Sequence, residues 1–422
     1  MVRISSIRAR MVFDSRGTPT VEADVTLDGG GFGRFITPSG ASVGKKEALE
    51  LRDHVLTSFC GKGVTKALTN IRKEIARAVV DQWFADQVEF DQALIDLDGS
   101  PNKSRLGANA LLAVSGAFFH ALASRYQKPL YMMGAEKDVF LLPLPLVNVI
   151  NGGAHADNGL DVQEFMLVPS GASSFSEAME MVADTFYALK SLLKFKGLSV
   201  AVGDEGGFAP KLRGNEEALE LLMLAIEKAG LKPTSQIKLA LDVAANELYD
   251  DKTRRYQLDG QYVDASALLT WYEKMSQHYP VISIEDPFFE DDHDGFSAMM
   301  KAMGSRTQIV GDDLFVTNER YIRHGIEHHL ANAVLIKMNQ IGTISETIAA
   351  VNLTKSAHLH AIISHRSGDS EDTTIADLAI LTDAGQIKTG SLSRSERTAK
   401  YNRLLRIEDE LGKKARYLPW CR

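Results

Sequence analysis

The sequence predicts an α/β protein in which a TIM-like (β/α) barrel follows a smaller N-terminal α+β domain. The chain has 422 residues, which is long for one small domain and suits a large barrel with a smaller partner. Strand patterns precede helix patterns in residues 1–130, which we assign to the α+β domain. Short apolar runs then alternate with helical stretches in residues 140–422, which we assign to the barrel.

Alternation of apolar and polar residues predicts strands over residues 4–12 and 19–27, with Asp-Ser-Arg-Gly as the turn between them. A second glycine-rich turn precedes a short strand that runs to Ile36. The period becomes helical over residues 66–123, and residues 106–123 are almost wholly apolar. This order of strands followed by helices is typical of an α+β domain.

The apolar runs of the second part each end in an ionisable residue. The active site of a (β/α) barrel lies at the carboxyl ends of its strands. A single acid at such an end is as well explained by a helix cap or a loop, but six in succession are poorly explained by chance. These residues are Asp242, Glu285, Asp312, Lys337, His365 and Lys388.

Asp242, Glu285 and Asp312 are carboxylates on three neighbouring predicted strands. Oxygen ligands of this kind suit Mg²⁺. The alternative is a set of unrelated salt bridges, but carboxylates that converge without a cation repel one another and shift their pKa values. Asp313 directly follows Asp312, and the sequence leaves open which of the two points inward.

Lys337 and Lys388 end later strands. Both side chains would reach solvent in the simplest interpretation. In the functional one, a nearby metal and a second cation lower the pKa of a lysine enough for it to act as a base. Arg366 and Ser367 follow the strand that ends at His365, and a guanidinium beside a hydroxyl is a plausible phosphate clamp.

Three glycine-rich or small-residue loops complete the candidate site. Gly-Asp-Glu-Gly-Gly at 203–207 carries Glu205, and Asn-Gly-Gly-Ala-His at 151–155 carries His155 and precedes Gln163 and Glu164. Ordinary turns explain either loop taken alone, although glycine also lets a backbone approach a ligand closely. The loop at 38–44 contains Ser39 and is either a flexible linker or a mobile lid.

Composition argues against several other classes of function. The formal net charge of −8 and the absence of a basic block argue against general binding to nucleic acid or anionic membranes. Cys60 and Cys421 are the only cysteines, so a disulfide framework is not expected and a reducing cytoplasm fits. We expect neither a secretory signal nor a membrane span.

An ordered set of motifs resembles enolases of the bacterial type. It runs from Asp14 to Gly412 and so covers nearly the whole chain. The set includes D-S-R-G-T-P-T-V-E, S-G-A-S-V-G, N-G-G-A-H-A-D-N, Q-E-F-M, G-D-E-G-G-F-A-P, I-E-D-P, G-D-D-L-F-V-T-N, I-K-M-N-Q-I-G-T, S-H-R-S-G, I-K-T-G and R-S-E-R-T-A-K-Y-N-R-L-L-R-I-E-D-E-L-G. No single motif decides the matter, but the ordered set is specific. The resemblance implies a barrel of the enolase type and reversible dehydration of 2-phospho-D-glycerate to phosphoenolpyruvate in glycolysis and gluconeogenesis.

The resemblance also implies a role for each matching residue. Lys337 would remove the C2 proton, Glu205 would protonate the departing C3 hydroxyl with Glu164 helping to position it, and His155 would enter the site with its loop. Two Mg²⁺ ions are implied, the first held by Asp242, Glu285 and Asp312 and the second, arriving with substrate, by Ser39. The implied substrate-binding residues are Gln163, Lys337, Arg366, Ser367 and Lys388.

Some positions depart from the family pattern, among them Val43 in the loop and Asn246 after the first metal carboxylate. None removes a proposed ligand or catalytic group. The resemblance further implies a homodimer or higher homo-oligomer, with residues 8–16 and 396–403 as candidate interface parts. It also implies a location in the cytoplasm and, without a signal peptide, at the cell surface or outside the cell.

Two other functions remain open from the sequence. One is a related superfamily lyase that acts on another carboxylate and shares the metal ligands. The other is an added non-catalytic binding role at the cell surface or in an RNA-processing complex.

Overall fold

The structure is a computed structural model that describes residues 1–40, 44–134, 136–418 and 420. Residues 41–43 of the predicted lid loop, and Cys421, lie outside the described residues. Of the helices that are described, none is both long enough and apolar enough to cross a membrane.

The N-terminal part opens with an antiparallel sheet, as its alternating pattern predicts. The described strands of this sheet are β1 (Val2–Phe13), β2 (Pro19–Leu27), β3 (Phe32–Ile36) and β4 (Trp83–Phe84), in the order β3-β2-β1-β4. The turn between β1 and β2 is fixed by Asp14, whose Oδ1 accepts the amide hydrogens of Arg16 at 2.9 Å and Thr18 at 2.8 Å. This side chain closes the turn in the way that Asp commonly does.

Helices cover one face of that sheet. They are α1 (Thr65–Asn70), a π-helical segment (Ile71–Ile75), α2 (Ala76–Val79), α3 (Gln87–Asp98) and α4 (Ala108–Tyr126). The apolar α4 packs directly on β2 and β3, which explains its nearly continuous hydrophobic sequence. A Cβ at Gly33 would lie 2.0 Å from the carbonyl oxygen of Ala117, so the close approach of helix and strand requires glycine.

Strands of the second part close into a barrel, which confirms the predicted fold class. A short pair, β5 (Phe140–Leu142) and β17 (Ala415–Tyr417), lies outside the barrel. The described strands of the barrel are β6 (Leu144–Asn151), β7 (Glu164–Val168), β8 (Lys238–Asp242), β12 (Val281–Glu285), β13 (Gln308–Gly311), β14 (Ala333–Ile336), β15 (His360–Ser364) and β16 (Gly385–Lys388). The order around the barrel is β6-β7-β8-β12-β13-β14-β15-β16, with β16 pairing back onto β6.

The barrel differs from the expected all-parallel arrangement at one strand. β7 pairs antiparallel with both β6 and β8, whereas the other neighbouring pairs are parallel. The connection from β6 to β7 contains only a 3₁₀ turn, Gly153–His155, and no crossover helix. A parallel return needs a longer crossover, so the short connection makes β7 run the opposite way.

Helices surround the barrel between successive strands. They are α5 (Phe175–Phe195), α6 (Asn215–Lys228), α7 (Ala265–His278), α8 (His293–Met303), α9 (Glu319–His328), α10 (Met338–Ile341), α11 (Ile344–Ser356), α12 (Thr374–Leu381) and α13 (Ser395–Leu411). A small antiparallel sheet of β9 (Tyr249–Asp250), β10 (Arg255–Leu258) and β11 (Gln261–Val263) follows β8. Side chains such as Ser174, Asp264 and Thr343 cap these helices by accepting amide hydrogens of the first turn.

Candidate active site

The strand-end residues meet at one rim of the barrel. Asp242, Glu285 and Lys388 are the last residues of β8, β12 and β16, and Asp312 and Lys337 directly follow β13 and β14. Because β7 runs antiparallel, its first residue rather than its last reaches this rim, and Glu164 pairs with Asp242. Of the residues predicted for the site, all except Ser39 and Glu285 line one cavity of about 470 Å³.

The strand order places Lys337 and Glu164 on opposite walls. Three strands separate β14 from β7 in either direction around the closed barrel. One of these arcs carries Asp242, Glu285 and Asp312, and the other carries Lys388 among its rim residues. The three carboxylates therefore lie between a lysine at one side and an acid at the other.

Lys388 is the central cation of the rim. Its Nζ lies 2.8 Å from Oδ2 of Asp242, 2.9 Å from both carboxylate oxygens of Glu285 and 3.0 Å from Oε1 of Glu164. Burial by itself would lower the pKa of Lys388, but these carboxylates, Asp242 foremost, hold it well above its ordinary value. The ammonium group therefore stays charged and binds three strands together.

Lys337 forms an ion pair with Asp312. The other carboxylate oxygen of Asp312 accepts a hydrogen bond of 2.9 Å from Nε2 of Gln340. Burial opposes the charged ammonium, but the charge of Asp312 outweighs it and raises the pKa of Lys337. The lowered pKa expected from the sequence assumed a metal and a second cation nearby, whereas the neighbour of Lys337 in this structure is the carboxylate of Asp312.

Asp313 also lines the cavity, so both adjacent aspartates belong to the site. Its Oδ2 accepts a hydrogen bond of 2.8 Å from Nδ2 of Asn246. Burial and the charge of Asp312 raise the pKa of Asp313 to about 8. Asp286 anchors this pair, since its two carboxylate oxygens accept the amide hydrogens of Asp312 at 2.8 Å and Asp313 at 2.9 Å.

The donor set fits a divalent cation. Burial and the charge of Asp242 raise the pKa of Glu285 well above its ordinary value, and burial with the charge of Asp313 does the same for Asp286. Oxygen atoms of Asp286, Asp312 and Asp313 lie within 4.8 Å of one another. Of the three predicted ligands, Asp312 belongs to this cluster, whereas Asp242 and Glu285 are paired with Lys388. Hard oxygen ligands in this number suit Mg²⁺.

Glu164 and Glu205 form a carboxylate pair at the opposite wall. Oxygen atoms of both, and a ring nitrogen of His155, lie within 4.8 Å of one another. Burial and the charge of Glu205 raise the pKa of Glu164 well above its ordinary value. Burial also disfavours ionised Glu205, but the neighbouring side chains of His155, His365 and Arg397 together outweigh it and lower its pKa well below the ordinary value. The surroundings of the pair therefore favour a proton on Glu164 over one on Glu205.

The surroundings of Glu205 include a residue that sequence reasoning did not single out. Asn148 Nδ2 donates to Oε2 of Glu205 at 3.1 Å. His365 Nε2 and His155 Nδ1 lie 3.4 and 3.7 Å from Oε1 of the same carboxylate. Burial lowers the pKa of His365 well below its ordinary value, so its ring is neutral at neutral pH. Asn148 is the fourth residue from the end of β6, where a polar residue within the apolar run 144–150 was the available signal.

Arg366 and Ser367 line the cavity beside the lysines. Arg366 Nη1 lies 3.0 Å from Oε2 of Glu47, a residue that the sequence did not single out. Arg397 of α13, which is fully buried, donates to the backbone carbonyls of Arg366 at 2.6 Å and Ser367 at 2.7 Å. Sequence reasoning considered Arg397 only as part of a candidate interface, and the structure places it behind the predicted phosphate clamp.

Ser39 is a predicted site residue that is not among those lining the cavity. Its Oγ donates to Oδ2 of Asp14 at 2.8 Å, and its backbone forms a reciprocal pair of 2.8 Å hydrogen bonds with Gly368. Gly368 directly follows Ser367. The N-terminal part is therefore attached to the loop of the predicted phosphate clamp, while a metal-binding role for Ser39 stays a prediction.

Two family models match the chain and together span most of it. The model described as the enolase N-terminal domain matches residues 4–133. The model described as the enolase C-terminal TIM barrel domain matches residues 139–419. The first covers the antiparallel sheet with its helices, and the second covers the barrel that carries the cavity.

Proposed function

The chain belongs to the enolase family, and from this premise we propose that it is a Mg²⁺-dependent carbon–oxygen lyase that interconverts 2-phospho-D-glycerate and phosphoenolpyruvate. One observation carries the proposal. Lys337 and the pair of Glu164 and Glu205 face each other across the barrel, with the carboxylates of β8, β12 and β13 on the arc between them. A β-elimination of water needs a base and an acid placed apart in this way.

The base side is assigned to Lys337. The proton at C2 is weakly acidic because its loss adds charge next to a carboxylate. Lys337 must be neutral to accept that proton, and its pairing with Asp312 holds its pKa high. A cation held by the Asp312 carboxylate would take away the partner that stabilises the ammonium form and would lower the pKa of Lys337.

The acid side is assigned to Glu205. Hydroxide is a poor leaving group and departs readily only when it receives a proton. The raised pKa of Glu164 favours its protonated form, and one of its oxygen atoms lies within 4.8 Å of one of Glu205. Glu164 is therefore close enough to relay a proton to Glu205, and Nδ1 of His155 lies 3.7 Å from that carboxylate.

Asp242, Glu285 and Asp312 would hold the first Mg²⁺ and Ser39 would contribute to the second. When bound, the metal ions stabilise the charge that develops on the substrate carboxylate. Enolase-superfamily sites in general combine a lysine or histidine base with Mg²⁺. In this chain, the ammonium of Lys388 lies among these carboxylates, 2.8 Å from Asp242 and 2.9 Å from Glu285, and would also be available to the substrate carboxylate.

Substrate binding is assigned to Gln163, Lys337, Arg366, Ser367 and Lys388. Arg366 and Ser367 would hold the phosphate, because a guanidinium supplies paired donors that match phosphate oxygens. Gln163 Nε2 donates to Oδ2 of Asp242 at 3.3 Å, while its Oε1 has no hydrogen-bond partner among the described atoms. That buried acceptor suits a hydroxyl group of the substrate.

The test is an absorbance assay for phosphoenolpyruvate formation from 2-phosphoglycerate, with Mg²⁺ and with EDTA. We expect turnover with Mg²⁺ and none with EDTA; full activity in metal-free buffer would contradict the metal assignment. A parallel screen of other 2-hydroxy carboxylates separates this activity from that of a related superfamily lyase, which would prefer a substrate without phosphate.

We extend the proposal to the domain boundaries, the cellular location and the oligomeric state. Residues 1–130 and 140–422 form the two domains, and the chain works in the cytoplasm, in glycolysis, as a homodimer or larger homo-oligomer. Phe13, within the candidate interface segment 8–16, has an exposed side chain that packs against the exposed ring of Phe59. In the other candidate segment, 396–403, several side chains are already buried within the chain, so only its outer face is available. A monomeric mass by light scattering at micromolar concentration would refute the dimer.

A further inference from the structure

We propose a second metal site, on the outer surface of the barrel domain, in which His324, Glu327 and His328 of α9 bind Zn²⁺ and His293 of α8 supplies the fourth ligand. This site shares no residue with the cavity at the barrel rim. The proposal is independent of the lyase activity, because it rests only on the geometry of these four side chains.

The spacing of the three α9 residues brings their ligand atoms together. Residues three and four apart on a helix lie on the same face, and one ligand atom from each of His324, Glu327 and His328 lies within 4.8 Å of the others. The ring centroids of His324 and His328 are 4.1 Å apart, and those of His324 and His293 are 5.2 Å apart. Ligand atoms around tetrahedral zinc are separated by about 3.3 Å, which small rotations of these surface side chains achieve.

The histidines are prepared for metal binding by their hydrogen bonds and surroundings. Nδ1 of His328 lies 2.9 Å from the backbone carbonyl oxygen of His324, so it carries the proton and leaves Nε2 with a free lone pair. A fixed second ring nitrogen of this kind is the usual support of a metal-bound histidine. His293 is partly exposed and lines the same hollow as His324.

The nearby charges permit a cation. Lys46 and Arg320 line the hollow beside His293 and His324; Lys46 is paired with Asp291 at 2.5 Å, and the guanidinium of Arg320 lies 5.9 Å from the ring centroid of Tyr321. Glu327 brings a negative charge into the ligand set itself. Three imidazoles and one carboxylate favour a borderline metal such as Zn²⁺ over Mg²⁺, which prefers oxygen ligands alone. The site therefore selects a different metal from the one proposed for the barrel rim.

The experiment measures Zn²⁺ binding by equilibrium dialysis in buffer saturated with Mg²⁺, which occupies the rim. We expect the wild-type chain to bind about one molar equivalent of Zn²⁺ more than the double variant His324→Ala, His328→Ala, with affinity in His293→Ala weakened roughly tenfold or more. His278→Ala is the matched control. His278 also lies on a barrel helix and has the same contact of Nδ1 with a backbone carbonyl oxygen, that of Lys274 at 2.7 Å.

Alanine suits helix positions and the altered side chains lie at the surface, so the variants should fold. A circular dichroism spectrum and an unchanged Mg²⁺-dependent activity without Zn²⁺ check this. Equal Zn²⁺ stoichiometry and affinity in wild type and the double variant would overturn the proposal. A similar loss in His278→Ala would also overturn it, because the binding would then come from surface histidines in general.

Discussion

Glu164, the first residue of β7, lies directly opposite Asp242, the last residue of β8, in the antiparallel ladder that joins the two strands. The ammonium of Lys388 binds both carboxylates, at 3.0 Å and 2.8 Å. The reversed strand thus places Glu164, whose pKa is raised, beside the first of the proposed metal carboxylates. The backbone of the barrel fixes this relation, and the side chains alone do not.

Lys388→Met should destabilise the metal-free protein and make Mg²⁺ a stronger stabiliser. Removal of one partner from a buried ion pair typically costs ~3–5 kcal/mol, because it leaves buried charge uncompensated. A metal that binds Asp242 and Glu285 would restore part of that loss. Thermal unfolding of both proteins with and without Mg²⁺ measures this, and an equal Mg²⁺-induced rise in wild type and variant would show that these carboxylates do not bind the metal.

The two adjacent aspartates should differ in their importance. Asp312→Ala should lose most Mg²⁺ binding and activity, because Asp312 is the carboxylate that faces Lys337. Asp313→Ala should lose less, since the pKa of about 8 leaves Asp313 largely protonated at neutral pH and its oxygen already binds Asn246. Isothermal titration with Mg²⁺ and steady-state rates measure the order, and the opposite order would assign the ligand to Asp313.

The strand ends of the barrel were predictable because each apolar run stops at an ionisable residue. Asp242, Glu285 and Lys388 all lie where those runs end. The direction of β7 was not predictable, because the run of buried residues in β6 gives no alternation and the acid is the first residue of its strand instead of the last. A rule that looks only at the last residue of each strand misses an antiparallel member of the barrel.

Residues that act through packing were also beyond sequence reasoning. Arg397 reaches the site because α13 folds back behind the loop of Arg366 and Ser367. Asp286 serves the site through the backbone amides of Asp312 and Asp313, on a different strand. Their partners lie about thirty residues away, at 30 or 31 positions for Arg397 and 26 or 27 for Asp286, and nothing in the local sequence indicates such a pairing.

Arg397→Lys should raise KM for 2-phosphoglycerate more than it lowers kcat. Two nitrogens of the Arg397 guanidinium donate to the Arg366 and Ser367 carbonyls, and the single ammonium nitrogen of lysine cannot replace both. The predicted phosphate clamp should therefore shift while Lys337 and Glu205 stay in place. Arg403→Lys on the same helix is the control. Arg403 donates to the two carboxylate oxygens of Asp377, at 2.7 Å and 2.9 Å, and neither residue lines the cavity. Steady-state kinetics would contradict this role if both variants changed KM equally.

Asp91 should make the stability of the protein depend on pH below neutrality. It is fully buried, accepts hydrogen bonds from Ser345 at the start of α11, and burial raises its pKa to about 6. The folded state therefore binds the Asp91 proton more tightly than the unfolded state. The contribution of Asp91 to stability is greatest below about pH 4 and is lost as the pH rises to about 6, by up to about 3 kcal/mol.

Urea unfolding of wild type and Asp91→Asn between pH 4 and pH 7 measures that dependence. The asparagine variant lacks the titrating group, so its stability relative to wild type should increase with pH across this window. The change with pH, and not the absolute stability of the variant, is the measured quantity, because asparagine also alters the hydrogen bonds with Ser345 and Gln87. A constant difference would show that Asp91 keeps its ordinary pKa.

The two proton transfers assigned to opposite walls of the barrel should separate in an exchange experiment. Lys337→Ala should abolish both turnover and exchange of the C2 proton with solvent deuterium, because the base is lost. Glu205→Gln should lose turnover yet retain exchange, since Lys337 still removes and returns the proton while the hydroxyl cannot leave. Loss of a general acid or base typically lowers the rate by ~10²–10⁴, and both variants keep Arg366 and Ser367 for substrate binding. Exchange that persists in Lys337→Ala with normal Mg²⁺ binding would place the base elsewhere on the rim, and His365 and Lys388, on the arc between Lys337 and β6, would be the next residues to replace.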